Sequence, residues 1–322
     1  MKRRALTGIQ PSGTPHVGNW LGAIEPALAL SESCEGYYFI ASYHALTTSR
    51  DPELLRHRIL DVAATWLALG LDPATTVLWT QQDVPEVTEL AWILSCVASK
   101  GLLDKAHAFK DAVTKGSKFV SAGLYTYPIL MAADILAFDS DLVPVGRDQK
   151  QHVEMARDMA QSFNHIYGDL LKLPEPLIQD SVAVVPGLDG QKMSKSYGNI
   201  VPLFVPPKKL RKVLMSIKTD SKTLEEAKDP DTCTVFALYK LFGTPEQQAD
   251  LAARYRQGGL GYGHAKQELF VLMNDRLAVP RDRYNQLMAR PDDIRDILTD
   301  GARKARVTAQ ATLDRVRGGI GL

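Results

Sequence analysis

Short apolar runs of β type alternate with longer amphipathic helical patterns through roughly the first two hundred residues, and this alternation restricts the fold more than any other feature. Ala5-Leu6-Thr7, Tyr37 to Ala41, Thr76 to Thr80, Leu142 to Val145 and Val182 to Val185 read as strands. Between them, Pro52 to Leu69, Val87 to Ala98 and Val153 to Ile166 repeat apolar residues at helical spacing, as in Ile59, Val62, Trp66. Apolar strands separated by helices predict an α/β fold: a Rossmann-type parallel sheet covered by helices on both faces. From Pro206 onward the pattern is helical with no convincing strand, and Pro202 to Pro207 reads as a linker. The expected division is residues 1–200, a Rossmann-type domain with a short helical insertion, and residues 201–322, a helical region. The last helix, basic from Gly301 to Arg317, is expected to pack back on the first domain.

A chain of 322 residues that is 45% hydrophobic can bury a core without covalent staples, which excludes disordered and disulfide-scaffold classes. Cys34, Cys96 and Cys233 form no CxxC pair, so no cysteine-built metal site is expected. Lys and Arg number 38 against 37 Asp and Glu, so only local patches can speak for a nucleic-acid partner. The basic start Met1-Lys2-Arg3-Arg4 is followed by no apolar run of signal-peptide type. No stretch approaches the ~18 apolar residues of a membrane span, and the expected location is the cytosol.

Two segments carry chemistry. After the first strand comes Gly8-Ile9-Gln10-Pro11-Ser12-Gly13-Thr14-Pro15-His16-Val17-Gly18-Asn19, a Gly/Ser-rich turn leading into a helix. Free backbone N–H groups and the helix dipole at such a turn favour phosphate. Gly18 permits close approach of a ribose or base, and His16 and Asn19 share one side of the first helical turn. An ordinary capped strand–helix loop is the alternative. The second segment, Lys192-Met193-Ser194-Lys195-Ser196, follows the last strand and a turn. Two ammonium groups on one loop can neutralise a triphosphate and the charge of departing pyrophosphate. An exposed polar loop is the alternative there.

Together, His-x-Gly-Asn after the first strand and Lys-Met-Ser-Lys-Ser after the last resemble the paired signatures of class I aminoacyl-tRNA synthetases. Gly8 to Gly13, Tyr127-Pro128-Ile129-Leu130-Met131-Ala132-Ala133-Asp134-Ile135-Leu136, Val143-Pro144-Val145-Gly146 and Asp148-Gln149-Lys150-Gln151-His152 narrow the resemblance to bacterial tryptophanyl-tRNA synthetases, over essentially the whole chain. The resemblance implies that ATP and L-tryptophan give tryptophanyl-adenylate and pyrophosphate, and that tryptophan then passes to tRNA(Trp). It implies catalytic roles for His16, Asn19, Lys192 and Lys195. It places ATP at Gln10, Ser12, Gly13, His16, Gly18, Asn19, Gly146, Asp148, Val184, Lys192, Met193, Ser194, Lys195 and Ser196. It places tryptophan at Leu6, His44, Tyr127, Met131, Asp134, Val143, Val145 and Gln149. Mg²⁺ is expected to arrive with ATP and to need few protein ligands, so no protein metal site is expected. The resemblance also implies a homodimer, and anticodon binding by residues 201–322.

Tyr127, Met131 and Asp134 recur at spacings of four and three and so share one helix face. By the resemblance, Asp134 accepts the indole N–H and Gln149 holds the substrate ammonium. Tyrosyl enzymes carry a Gln where this chain has Met131, and a thioether suits a flat indole better than an ammonium. A tyrosyl enzyme, a small-molecule nucleotidylyltransferase and a non-enzymatic tRNA- or tryptophan-binding regulator are the competing readings. His44 and Asp148 also have structural readings, as a hydrogen-bonded His at a strand end and as a helix N-cap. Lys208, Lys209, Arg211 and Lys212 form a basic cluster able to meet phosphate, or a solvated face. Two departures stand out: Ala112 where the family often has a Lys, with Lys115 or Lys118 nearby, and Arg147 where an acidic residue is usual.

Overall fold

Five strands build one sheet: β1 (Arg4–Ile9), β2 (Glu35–Ile40), β3 (Val77–Thr80), β4 (Leu142–Val145) and β5 (Glu175–Ile178). The computed structural model describes residues 2–106, 114, 120–146, 149–178 and 185–322. All pairings are parallel and the spatial order is β3-β2-β1-β4-β5. The chain lays β2 and β3 to one side of β1, then returns to place β4 and β5 on the other. β1 pairs with β2 along its whole length but with β4 only at Ala5 and Leu142. Pro144, which lacks an N–H, lies just beyond that pairing. The strands at the switch point therefore part toward their carboxyl ends, where open α/β sheets bind ligands.

β5 was not legible in the sequence. It is a four-residue edge strand containing Pro176, and an edge tolerates the missing donor that would disqualify an interior strand. The expected strand at Val182–Val185 lies outside the described residues, apart from Val185.

Between β3 and β4 stand the helices Glu86–Ser95, Lys100–Leu103 and Ala122–Leu136. The helix after β1 begins as Val17–Asn19, widens into a π-helical stretch at Trp20–Ile24, and regains α geometry at Glu25–Ser31. Beyond residue 206 come Pro207–Met215, Thr234–Tyr239, Pro245–Gln257, Tyr262–Met288 and Pro291–Ile320, with no strand among the described residues. Among the described residues no helix is long and apolar enough to cross a membrane.

The segment read as a linker is packed instead. Val201 and Leu203 are fully buried, and they belong to one apolar cluster with Val17, Trp20, Met193, Leu210, Leu214, Phe236, Leu269 and Met273. The cluster thus joins the turn after β1, the Lys-Met-Ser-Lys-Ser loop and the C-terminal helices. Helix Pro291–Ile320 returns to β3. A Cβ on Gly301 would stand 1.8 Å from the Leu78 carbonyl oxygen, so only glycine permits that approach. Arg306, Arg315 and Arg317 of the basic stretch pair with Glu86, Asp139 and Glu89.

Candidate active site

A cavity of about 950 Å³ opens at the carboxyl ends of β1 and β4, within the size range of small-molecule sites. Its wall includes Leu6 and Gln10 from β1 and its turn, Gly18 and Asn19 from the first helix, and Val143, Val145, Gly146 and Gln149 around β4. Tyr127, Met131 and Asp134 enter from helix Ala122–Leu136, His44 from the turn after β2, and Lys192 and Met193 from the late loop. A 3.6-residue period puts Tyr127, Met131 and Asp134 on one side of their helix, and the structure turns that side to the cavity.

Asp134 is 2% exposed, and burial raises its carboxyl above the ordinary range, against the pull of His44 and Gln81. Gln81 Nε2 donates to both carboxylate oxygens at 2.8 Å, and His44 Nε2 lies 2.9 Å from Oδ2. Gln81 was missed in the sequence. It sits in the short turn after β3 and its role depends on β2 and β3 being neighbours, which no local pattern reveals. Tyr127 donates toward, or accepts from, His152 Nε2, and Gln10 Nε2 donates to the His44 carbonyl at 3.1 Å.

The two signature segments touch. Val17 N–H donates to the Val201 carbonyl at 3.0 Å, and Leu203 N–H to the Pro15 carbonyl at 3.3 Å. Gly18 N–H lies 3.3 Å from Met193 Sδ, and Lys195 Nζ donates to the Gly13 carbonyl at 2.9 Å. Gly13 and Lys195 share a small adjoining cavity with Gln10 and Asn19. Gly13 adopts φ +144°, and any Cβ there would press on the Lys195 stem. Burial lowers the Lys195 ammonium, with the charge of Asp61 opposing.

His16 precedes the helix, and its N–H donates to Asn19 Oδ1 at 3.2 Å. Its ring is buried behind Gly18 rather than in the cavity wall, and Nδ1 has no hydrogen-bond partner among the described residues. Burial, then the Lys195 charge, lower its pKa to about 4, so the imidazole is neutral at neutral pH. Ser12, Ser194 and Ser196 also stand outside the cavity wall. Asp148 and Val184 lie outside the described residues, as do Arg147, Ala112, Lys115 and Lys118.

A second omission of the sequence reading is Asn199, 3% exposed. Its Nδ2 donates to Asp189 Oδ1 at 2.7 Å and to the Lys192 carbonyl at 3.2 Å, while its Oδ1 accepts from Ser194 N–H at 2.8 Å. Gly187 leaves the space for it: a Cβ there would lie 2.3 Å from the Asn199 side chain. One amide thus fixes the loop that carries both lysines.

Known proteins give the family. The family of class I tRNA synthetases (W and Y) matches residues 1–278. A tryptophan–tRNA ligase from Rhodopirellula baltica is 50% identical, covering 99% of this chain and 99% of that protein. One from Pseudomonas putida is 51% identical over the whole of this chain and 74% of its own length. The chain belongs to the tryptophan–tRNA ligases. Among solved members, tryptophanyl-tRNA synthetase from Campylobacter jejuni, complexed with ADP and tryptophan, superposes with a TM-score of 0.94 at 48% identity, covering 99% of this chain and all of that one. The α/β architecture with a Rossmann-type parallel sheet, and its assignment to this enzyme family, hold as the sequence implied.

Proposed function

We propose that this cavity activates L-tryptophan with ATP, forming tryptophanyl-adenylate and pyrophosphate, and that the enzyme then transfers tryptophan to tRNA(Trp). The observation that carries the reading is one cavity whose wall holds a buried carboxylate together with Gln10, Gly18 and Asn19 of the first phosphate-type segment and Lys192 and Met193 of the second. Asp134 accepts the indole N–H, with Leu6, His44, Tyr127, Met131, Val143 and Val145 around the ring, and Gln149 takes the ammonium. A phenylalanine side chain offers no donor to the remaining lone pair of the buried carboxylate, which selects against it.

The tryptophan carboxylate attacks the α-phosphorus of ATP in line, the new P–O bond forms, and pyrophosphate leaves. No protein nucleophile is required, so positioning and charge stabilisation supply the rate. Gln10, Ser12, Gly13, Gly18, Asn19 and Gly146 bind the nucleotide, and the neutral His16 works beside Asn19 at the phosphates. Lys195 rests on Gly13 and must leave it, with Lys192, to meet the β- and γ-phosphates; that movement gates the step. Mg²⁺ arrives as a companion of the ATP phosphates, bridging their oxygens with few protein ligands. Lys208, Lys209, Arg211 and Lys212 are exposed on helix Pro207–Met215 and offer tRNA a basic face. In the same reading the enzyme is a cytosolic homodimer, residues 1–200 being catalytic and 201–322 binding the anticodon.

ATP–pyrophosphate exchange with each of the twenty amino acids, run with Mg²⁺ and without tRNA, tests this. Exchange with tryptophan alone is expected. Exchange with tyrosine would overturn the substrate reading, and no exchange with any amino acid would overturn the activity.

A further inference from the structure

We propose that Gln81 is a positioning residue for tryptophan selection: it fixes the Asp134 carboxylate so that Oδ1 is left to accept the indole N–H. The proposal rests on the activation reading above and adds a residue and an atom to it.

The orientation of Gln81 is set from behind. Its Oε1 accepts from Tyr43 N–H at 2.9 Å and, less closely, from His44 N–H at 3.4 Å. Carbonyl and amine ends of an amide are assigned from such partners, and two backbone donors leave one assignment. The Nε2 end must then face Asp134, where it donates to both oxygens at 2.8 Å. The reverse orientation would set the amide oxygen against a buried carboxylate and the amine against two N–H groups. Gln81 is 1% exposed, so bulk water does not reach either end.

The acceptor count then decides which oxygen serves the substrate. A carboxylate offers about four lone-pair sites. Oδ2 is engaged by Gln81 and faces His44 Nε2 at 2.9 Å, whereas among the described residues Oδ1 has Gln81 alone. The remaining acceptor capacity therefore sits on Oδ1 of a residue in the cavity wall. Without Gln81 the carboxylate could turn about its last torsion and exchange the two oxygens at His44. Each turn would spend the open lone pair in the wrong direction. The same amide steadies the backbone of Tyr43 and His44, and the His44 carbonyl holds Gln10 Nε2. Gln81 thus ties the indole end of the cavity to the turn after β1.

The test compares tryptophan with β-(3-benzothienyl)alanine, whose ring has sulfur in place of the N–H, in ATP–pyrophosphate exchange. The variants are Gln81→Met, which removes both amide ends at similar length, and Gln81→Glu, which keeps the volume. Each is first checked for a wild-type-like melting curve. The expected result is a fall of roughly 10-fold or more in kcat/KM for tryptophan, mainly through its KM, with the analogue and the KM for ATP changed far less. Equal losses for both amino acids, or no loss, would overturn the proposal and make Gln81 a packing residue. If neither variant folds, the side-chain amide resonance of Gln81 in the unmodified protein decides. A shift with tryptophan but not with the analogue supports the proposal, and the same shift with both overturns it. Failure of the unmodified protein to exchange with tryptophan would instead overturn the activation reading, so the two failures are separable.

Discussion

At the scale of single residues, Asp134 shows how a site can work against stability. Its carboxyl is buried and its pKa is raised, with burial outweighing the help of His44 and Gln81. A carboxyl with a folded pKa above its unfolded one holds its proton more tightly in the fold. The protonated form therefore contributes stability that is fully present below the ordinary carboxylate range and is lost as pH rises through the raised pKa. Above that raised pKa the ionised group sits on the costly side of that window. Asp134→Asn keeps the shape and one acceptor oxygen, removes the charge, and sets its own amine near the Gln81 amine. Its melting temperature relative to the wild type is expected to climb as pH rises through the raised carboxyl pKa, because only the wild type bears the cost of ionisation. Its kcat/KM for tryptophan should drop by roughly 10-fold to 100-fold, the range of a charge-assisted hydrogen bond. Melting curves across pH and pyrophosphate exchange on the same preparation check both parts; a melting difference that does not change with pH would contradict the first. The sequence implies Asp134 through the family resemblance, and helical spacing adds only that it shares a face with Tyr127 and Met131. It did not show Gln81 or Asn199, since each matters through partners far away in the chain or around a turn whose shape no periodicity encodes.

At the scale of elements, the legible parts are those with a repeating pattern. β1 to β4 and the helices Pro52–Ala68 and Lys150–Tyr167 follow from apolar period and punctuation. β5 escaped because it is short, holds a proline and lies at an edge. The π-helical turn Trp20–Ile24 escaped because one added residue per turn leaves no trace in an apolar run. The Pro202–Pro207 segment misled for a different reason: three prolines mark a break in helix, but Val201 and Leu203 beside them are core residues. Glycines in helix Pro291–Ile320 allow a sharp test of element docking. Gly301 faces the Leu78 carbonyl with no room for a Cβ, whereas Gly318 has nothing within 4 Å of its would-be Cβ. Gly301→Ala must push the helix off β3 and is expected to cost about 3 kcal/mol. Gly318→Ala should be neutral or stabilising by up to ~1 kcal/mol, since only helix propensity changes. Urea denaturation of the two variants checks the contrast, and similar midpoints would mean the helix does not dock through Gly301.

At the scale of the whole molecule, the division visible along the sequence differs from the division of the core. One apolar cluster takes Val17 and Trp20 from the first helix, Met193 from the lysine loop, and Leu210, Leu214, Phe236 and Met273 from the C-terminal helices. A second joins Tyr38, Trp66 and Leu78 of the sheet side with Ile294 and Leu298 of the last helix. Neither cluster can be completed by residues 1–200 alone. Tyr284 reinforces the union, donating from helix Tyr262–Met288 to Asp61 Oδ1 at 2.7 Å while its ring stacks on Phe204. Cores shared in this way make unfolding of one half expose the apolar surface of the other, which favours a single transition. Leu214 is fully buried in the first cluster and lies on a helix that supplies nothing to the cavity wall. Leu214→Ala is expected to cost about 2–5 kcal/mol through lost burial and the space left behind. If the core is common, that loss shifts the whole transition: tryptophan fluorescence, which reports Trp20, Trp66, Trp79 and Trp92, and far-ultraviolet dichroism, which reports the helices, should move together. Two separated transitions, with only the C-terminal helices destabilised by the substitution, would show instead that the halves fold independently and that the motifs are held in place by the sheet alone.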